Sequence, residues 1–186
     1  MEKMKLIEEE LLINSQSFKD ISSIAKRLSE ILEIGDILFL KGSIGAGKSF
    51  FARCIIREYL NISKVYEDIP SPTFSLVQTY DNIKPKVCHV DLYRISFSSE
   101  LEEIGLNNIY ENFLTIVEWP ERLGKKIPDT FIQIEFKDCH KNYDERNLKI
   151  SLVGINRKDI RSFLKHLKND IGVLIWDLYF MILKLL

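Results

Sequence analysis

Lys48 and Ser49 close the stretch Gly42-Ser43-Ile44-Gly45-Ala46-Gly47-Lys48-Ser49, which fits the pattern G-x-x-x-x-G-K-[ST]. The glycines let a backbone curl with its N–H groups facing inward. An anionic phosphate is then held by several donors and by the positive end of the following helix. At that spacing Lys48 reaches the outer phosphates of a nucleotide, and the Ser49 hydroxyl is placed to ligate Mg²⁺. Gly42, Ser43, Ile44, Gly45, Ala46, Gly47 and Phe50 complete the nucleotide-binding candidates from this loop. At ordinary residue usage four such fixed positions coincide by accident in about one chain in a hundred of this size.

Two acids could complete a metal site. The run Lys86-Val87-Cys88-His89-Val90-Asp91-Leu92-Tyr93 reads as a strand with Asp91 towards its carboxyl end, where open α/β sheets bind ligands. A carboxylate there suits the Mg²⁺ shell; the alternative is that Asp91 caps or turns the chain. Leu114-Thr115-Ile116-Val117-Glu118-Trp119-Pro120 is a second apolar strand ending in an acid. A buried charge is costly unless something binds it, and a metal-bound water is one partner. Glu118 then orients or deprotonates an attacking water, or completes the metal shell; the alternative is an acid satisfied within the core. Ser71-Pro72-Thr73 stands where a polar loop meets a strand read from Thr73 to Tyr80. It is either a hydroxyl-bearing switch that senses phosphate or metal, or a plain proline turn.

These residues need elements to position them. Ile37-Leu38-Phe39-Leu40 is the buried strand that delivers the loop, and the helix after Ser49 runs to about Leu60, with Asn61 as its stop. Phe18, Ile21, Ile24, Ala25, Leu28, Ile31 and Leu32 recur at spacings of three and four, the pattern of an amphipathic helix closed by Gly35-Asp36. Ser99 and Glu102 make a capping-box pattern for a short helix that Gly105 interrupts. Thr130 to Phe136 and Asn147 to Val153 alternate as a hairpin-like pair. Lys141-Asn142-Tyr143-Asp144 holds the letters of the guanine-reading N-K-x-D signature in the wrong order and is discounted. Asn156 to Lys168 reads as a helix with Ile160, Phe163, Leu164 and Leu167 on one face.

A chain of 186 residues, 46% hydrophobic, buries one sizeable core. The expected fold is α/β: a single P-loop NTPase-like domain over residues 1–168, with a central, mostly parallel sheet flanked by helices. An apolar C-terminal tail, 169–186, follows as a packed helix. Its apolar run is too short to span a bilayer and carries Asp177 and Lys184, so no membrane is expected. Net charge of −1 implies no large nucleic-acid-binding surface. Cys54, Cys88 and Cys139 are odd in number and lack a C-x-x-C, which argues against a disulfide framework or a zinc site and for reduced thiols in the cytoplasm. The N-terminus has neither the apolar core nor the cleavage site of a secretion signal.

Taken in order, Gly42 to Ser49, Ser71-Pro72-Thr73-Phe74, His89-Val90-Asp91-Leu92-Tyr93-Arg94 and Val117-Glu118-Trp119-Pro120 resemble the TsaE (YjeE) family. These are small bacterial P-loop ATPases of tRNA threonylcarbamoyl-adenosine modification. Glu100-Leu101-Glu102-Glu103-Ile104-Gly105-Leu106 resembles the family's stretch between the last two motifs, so the likeness covers roughly residues 15 to 155. It implies ATP and Mg²⁺ as cofactors, weak ATP hydrolysis, and docking on the TsaD and TsaB subunits, with tRNA engaged indirectly through the complex. It also implies roles: Lys48 on phosphate, Ser49 and Glu118 on Mg²⁺, Asp91 as the second acid near the metal, Thr73 in a switch-like segment, and Arg146 near the nucleotide. The chain departs from the family at Ser43-Ile44, where Asp-Leu is usual, at Ser49, where Thr is usual, and at Ile21, where Thr is more frequent. Two other readings compete: a P-loop kinase acting on a small metabolite, for which no arginine-rich lid is evident, and a nucleotide-gated scaffold without turnover.

Overall fold

The computed structural model describes residues 7–97, 100–139 and 144–183; for residues 7, 8, 15 and 171–183 the description is of backbone only. Ser99 of the expected capping box and Lys141-Asn142-Tyr143 of the discounted signature lie outside the described residues. Along the chain the elements are β1 (Ile7–Ser17), α1 (Phe18–Ser29), β2 (Ile37–Lys41), α2 (Lys48–Ser63), β3 (Val77–Tyr80) and β4 (Val87–Asp91). They continue with α3 (Glu100–Glu103), α4 (Leu106–Asn112), β5 (Leu114–Glu118), a 3-10 segment (Pro120–Lys126), β6 (Phe131–Asp138), β7 (Glu145–Val153) and α5 (Lys158–Leu183). Met1–Ile155 forms one compact unit and Asn156–Leu186 a second.

The first unit holds one seven-stranded sheet in the order β1-β7-β6-β2-β5-β4-β3. Its centre is parallel: β2 pairs with β5 and with β6, and β4 pairs with β5. The rims are antiparallel, with β3 on β4 at one side and β7 and β1 beyond β6 at the other. Central parallel strands are covered on both faces, which is why β4 and β5 are buried at every residue and β2 from Ile37 to Leu40.

The helices follow from their patterns. Ser17 caps α1: its hydroxyl accepts from the Asp20 amide at 3.3 Å, while the Asp20 carboxylate accepts from the Ser17 amide at 3.1 Å. The expected stripe is buried at Ile21, Ile24, Ala25 and Leu28. Ile21, where the family more often has Thr, is a core residue at 1% exposure. The Tyr59 hydroxyl of α2 donates to the Ser29 carbonyl at 2.7 Å, tying α2 to the end of α1. α2 runs past the expected stop at Asn61 to Ser63 and is closed by Lys64 in the left-handed conformation.

Several boundaries differ from expectation. β3 begins at Val77, four residues after Thr73. Residues 72–75 form a turn in which the Leu76 amide donates to the Pro72 carbonyl at 2.7 Å. β1 was not expected. Leu11 and Ile13 point into the core while Leu12 is exposed, but acids at positions 8 to 10 break the apolar run that would announce a strand. In the second unit, the helix expected over 156–168 and the tail merge in α5, whose Ile160, Phe163, Leu164 and Leu167 are buried. Among the described residues no helix is long and apolar enough to cross a membrane.

Candidate nucleotide-binding site

The loop between β2 and α2 is shaped by its glycines. Gly42 has φ +150°, and a Cβ there would stand 2.7 Å from the Phe136 carbonyl oxygen of β6, so only glycine lets the two backbones approach. Gly47 caps α2 with φ 110°, and its carbonyl accepts from the Phe51 amide at 2.9 Å. Lys48 is thereby the first residue of the helix, 4% exposed, with its ammonium turned back over the loop. Nζ donates to the carbonyls of Gly42 at 2.8 Å and Ser43 at 2.7 Å and lies 3.9 Å from the centroid of the Trp119 ring. Burial pushes the Lys48 pKa below the usual lysine range, against the opposing pull of Glu118, Asp91 and Glu121.

Strand register brings the acids to the loop. Leu40, the last buried residue of β2, pairs with Glu118 of β5, and Glu118 pairs in turn with Asp91 of β4. The Ser49 hydroxyl donates to Glu118 Oε2 at 2.9 Å, joining loop and strand acid across 69 residues of sequence. Glu118 Oε1 lies 2.9 Å from His89 Nε2. Asp91 is held separately, Oδ2 accepting from the Thr73 hydroxyl at 2.8 Å and Oδ1 from the Tyr93 amide at 2.9 Å. Ser71 Oγ lies 2.9 Å from Thr73 Oγ1, so the turn is hydrogen-bonded through to Asp91.

These groups surround a hollow of about 250 Å³ bounded by Ile44, Gly45, Lys48, Ser49, Thr73, Asp91 and Glu118. A second hollow of about 260 Å³ shares Gly45, Lys48, Ser49 and Glu118 and extends to Ala46, Gly47, Phe50, Arg53 and Phe18. Larger hollows of about 480 and 510 Å³ lie around Leu123 and Leu106 and involve none of the loop. Arg146 of β7 brings its Nη2 within 3.5 Å of the Gly45 carbonyl. The residues expected from the sequence thus belong to the loop, line one of these two hollows, or, for Arg146, hydrogen-bond to a loop carbonyl.

Of the residues at the site given no role from sequence, three make contacts that shape it. Phe18 packs edge-on against Phe50 at 5.2 Å, and nothing in a helix's first residue signals that contact. Trp119 supplies the ring under Lys48 and holds φ 60°, a conformation that a bulky residue adopts only when its surroundings enforce it. His89 was detectable: it lies two residues before Asp91 on one strand and so on the same face.

Among the described residues no three His, Cys, Asp or Glu side chains cluster as a metal cage. The donor set here is a hydroxyl and two carboxylates. That chemistry fits a hard cation such as Mg²⁺, which is commonly held by one or two carboxylates with substrate phosphates.

A mostly parallel sheet whose central strand β2 delivers a glycine-rich loop into a helix, with acids ending β5 beside it and β4 one strand further out, defines a P-loop protein of the α/β class. In fold it is similar to YdiB of Bacillus subtilis, with a TM-score of 0.69 and 21% identity over 87% of this chain and 97% of that one. Residues 15–148 match the family described as threonylcarbamoyl adenosine biosynthesis protein TsaE. The relatives named tRNA threonylcarbamoyladenosine biosynthesis protein TsaE include one from Aquifex aeolicus, 34% identical over 74% of this chain and 94% of its own length. One from Rickettsia bellii is 32% identical over 72% and 90%, and one from Bacillus subtilis 30% over 73% and 82%. The chain belongs to the TsaE family.

Proposed function

We propose that this protein binds and slowly hydrolyses ATP with Mg²⁺, and that it serves threonylcarbamoyl-adenosine modification of tRNA in the cytoplasm together with TsaD and TsaB. The observation that carries the ATPase reading is the 2.9 Å hydrogen bond between Ser49 and Glu118, which sets the loop hydroxyl and a buried strand acid on one small hollow. The pathway rests on membership of the TsaE family.

On this reading Lys48 exchanges the Gly42 and Ser43 carbonyls for phosphate oxygens as the nucleotide enters. Contacts of the ammonium with anionic oxygens replace contacts with two neutral carbonyls. Ser49, Glu118 and Asp91 would hold Mg²⁺, which when bound would neutralise charge on the phosphates. Glu118 and Asp91 also orient the attacking water; its oxygen bonds to the γ-phosphorus as the bond to the bridging oxygen breaks, leaving ADP and inorganic phosphate, with one proton kept on the phosphate and the other released to solvent. Thr73 carries the state of the phosphate end into the 72–75 turn. Arg146 and Phe50 contact the nucleotide from the Gly45 side.

The test is modification of tRNA by TsaD and TsaB over many turnovers, with phosphate release followed in parallel. The protein should raise both, and Lys48→Ala should raise neither. ATP binding without phosphate release under either condition would leave a nucleotide-gated scaffold. ADP formation that depends on a small alcohol would make the protein a metabolite kinase.

A further inference from the structure

His89 has 0% exposure, and its Nδ1 is buried with no hydrogen-bond partner among the described residues. Its only polar contact there is Nε2 to Glu118 Oε1 at 2.9 Å. The contact follows from register. His89 stands opposite Ile116 and Asp91 opposite Glu118, so His89 and Glu118 are diagonal neighbours on one face of two parallel strands. Neither strand can shift without displacing the sheet centre.

Glu118 is 1% exposed, and a buried carboxylate needs donors at both oxygens. Oε2 takes its hydrogen bond from Ser49. A carboxylate cannot donate, so an imidazole proton belongs on Nε2, while Nδ1 has no partner among the described residues. When Oε2 is given to a metal, Oε1 and its His89 donor still fix the plane of Glu118.

We propose that His89 is a positioning residue: by donating Nε2–H to Glu118 Oε1 it holds the other oxygen facing Ser49 and the hollow, ready for Mg²⁺. This rests on the reading of Glu118 as a Mg²⁺ ligand. Outer donors of this kind change metal affinity or activity by about 10- to 100-fold when removed.

The test is equilibrium binding of fluorescent methylanthraniloyl-ATP, with excess Mg²⁺ and with EDTA, to wild type, His89→Leu, His89→Gln and His89→Asn. The quantity read is the ratio of the two affinities. His89→Leu should cut the Mg²⁺ advantage at least about tenfold while binding in EDTA is unchanged. His89→Gln carries an amide N–H near the place of Nε2 and should recover most of the advantage. His89→Asn places its amide nearer Nδ1, short of Glu118, and should not. If the Leu variant fails to fold, the Gln and Asn pair decides: equal behaviour overturns the proposal, as does a Leu variant with the wild-type ratio or one weakened equally in EDTA. In a Glu118→Gln background His89→Leu should add nothing, and a full additional loss would also overturn it. A wild type whose nucleotide affinity ignores Mg²⁺ would overturn the ATPase reading itself, and this inference with it.

Discussion

Asp91 and Glu118 stand directly opposite one another as the last residues of adjacent parallel strands, each almost fully buried, and among the described residues they share no donor. Thr73 and the Tyr93 amide serve Asp91, whereas Ser49 and His89 serve Glu118. Each carboxylate thus reports on a different segment: Asp91 on the 72–75 turn, Glu118 on the phosphate loop.

The Thr73 contact gives the first expectation. Hydrogen bonds to charged groups contribute about 1.5–3 kcal/mol, and one kcal/mol and a half is already about tenfold in rate. Thr73→Val should lower ATP turnover at least about tenfold with a smaller effect on ATP affinity, and Thr73→Ser should retain turnover. Steady-state kinetics of the two variants checks this; equal losses would show that the hydroxyl is not what matters.

Two loop glycines should respond differently to alanine. At Gly42 the new Cβ meets the Phe136 carbonyl at 2.7 Å, whereas at Gly45, φ +76°, nothing stands within 4 Å. Gly45→Ala should cost about 1–2 kcal/mol from the left-handed backbone alone. Gly42→Ala should cost more, because strand β6 must also move. Denaturant unfolding of both variants measures the difference, and nucleotide binding should fail first in Gly42→Ala.

Much of this arrangement was legible in the sequence because it rests on local signals. The loop's glycines, the continuous apolar runs of β2 and β5, and the 3–4 spacing of α1 each specify an element without knowledge of its neighbours. What was not legible depends on pairing. β1 is stabilised by its long antiparallel partner β7, which no run of neighbouring residues encodes. Thr73 was placed at the start of a strand on its branched and aromatic company, but the turn wins because Leu76 closes it and its carbonyl accepts from the Asp91 amide at 2.9 Å. Of the site, Lys48, Ser49, Asp91 and Glu118 followed from motif and strand ends. Phe18 and the Trp119 ring needed the packing, and for His89, which shares a strand face with Asp91, it was the contact with Glu118 that needed the register.

Alkaline pH gives an expectation about the core. Burial pushes the Cys88 thiol up to about 12, with the Asp81 charge adding to it, and burial likewise raises Tyr80 to about 12. Above a pH of about 9 the unfolded thiol ionises while the native one stays protonated, so the native state binds more protons and stability falls as pH rises towards 12. Each such group steepens the fall by up to about 1.4 kcal/mol per pH unit. Denaturant unfolding at pH 8, 9.5 and 10.5 should show the decline, and Cys88→Ala should reduce the part that begins near about 9, to which the Cys54 thiol, also raised by burial, contributes as well.

The most direct measurement of the central claim is steady-state phosphate release from ATP with Mg²⁺, by wild type, Lys48→Ala and Glu118→Gln, alone and with TsaD and TsaB. Release should be slow alone and rise with the partners. Lys48→Ala should lose it together with ATP binding, and Glu118→Gln should lose about 100-fold or more while ATP still binds. Undiminished release from Glu118→Gln, or none from wild type that binds ATP, would contradict the assignment of this site as a magnesium-dependent ATPase.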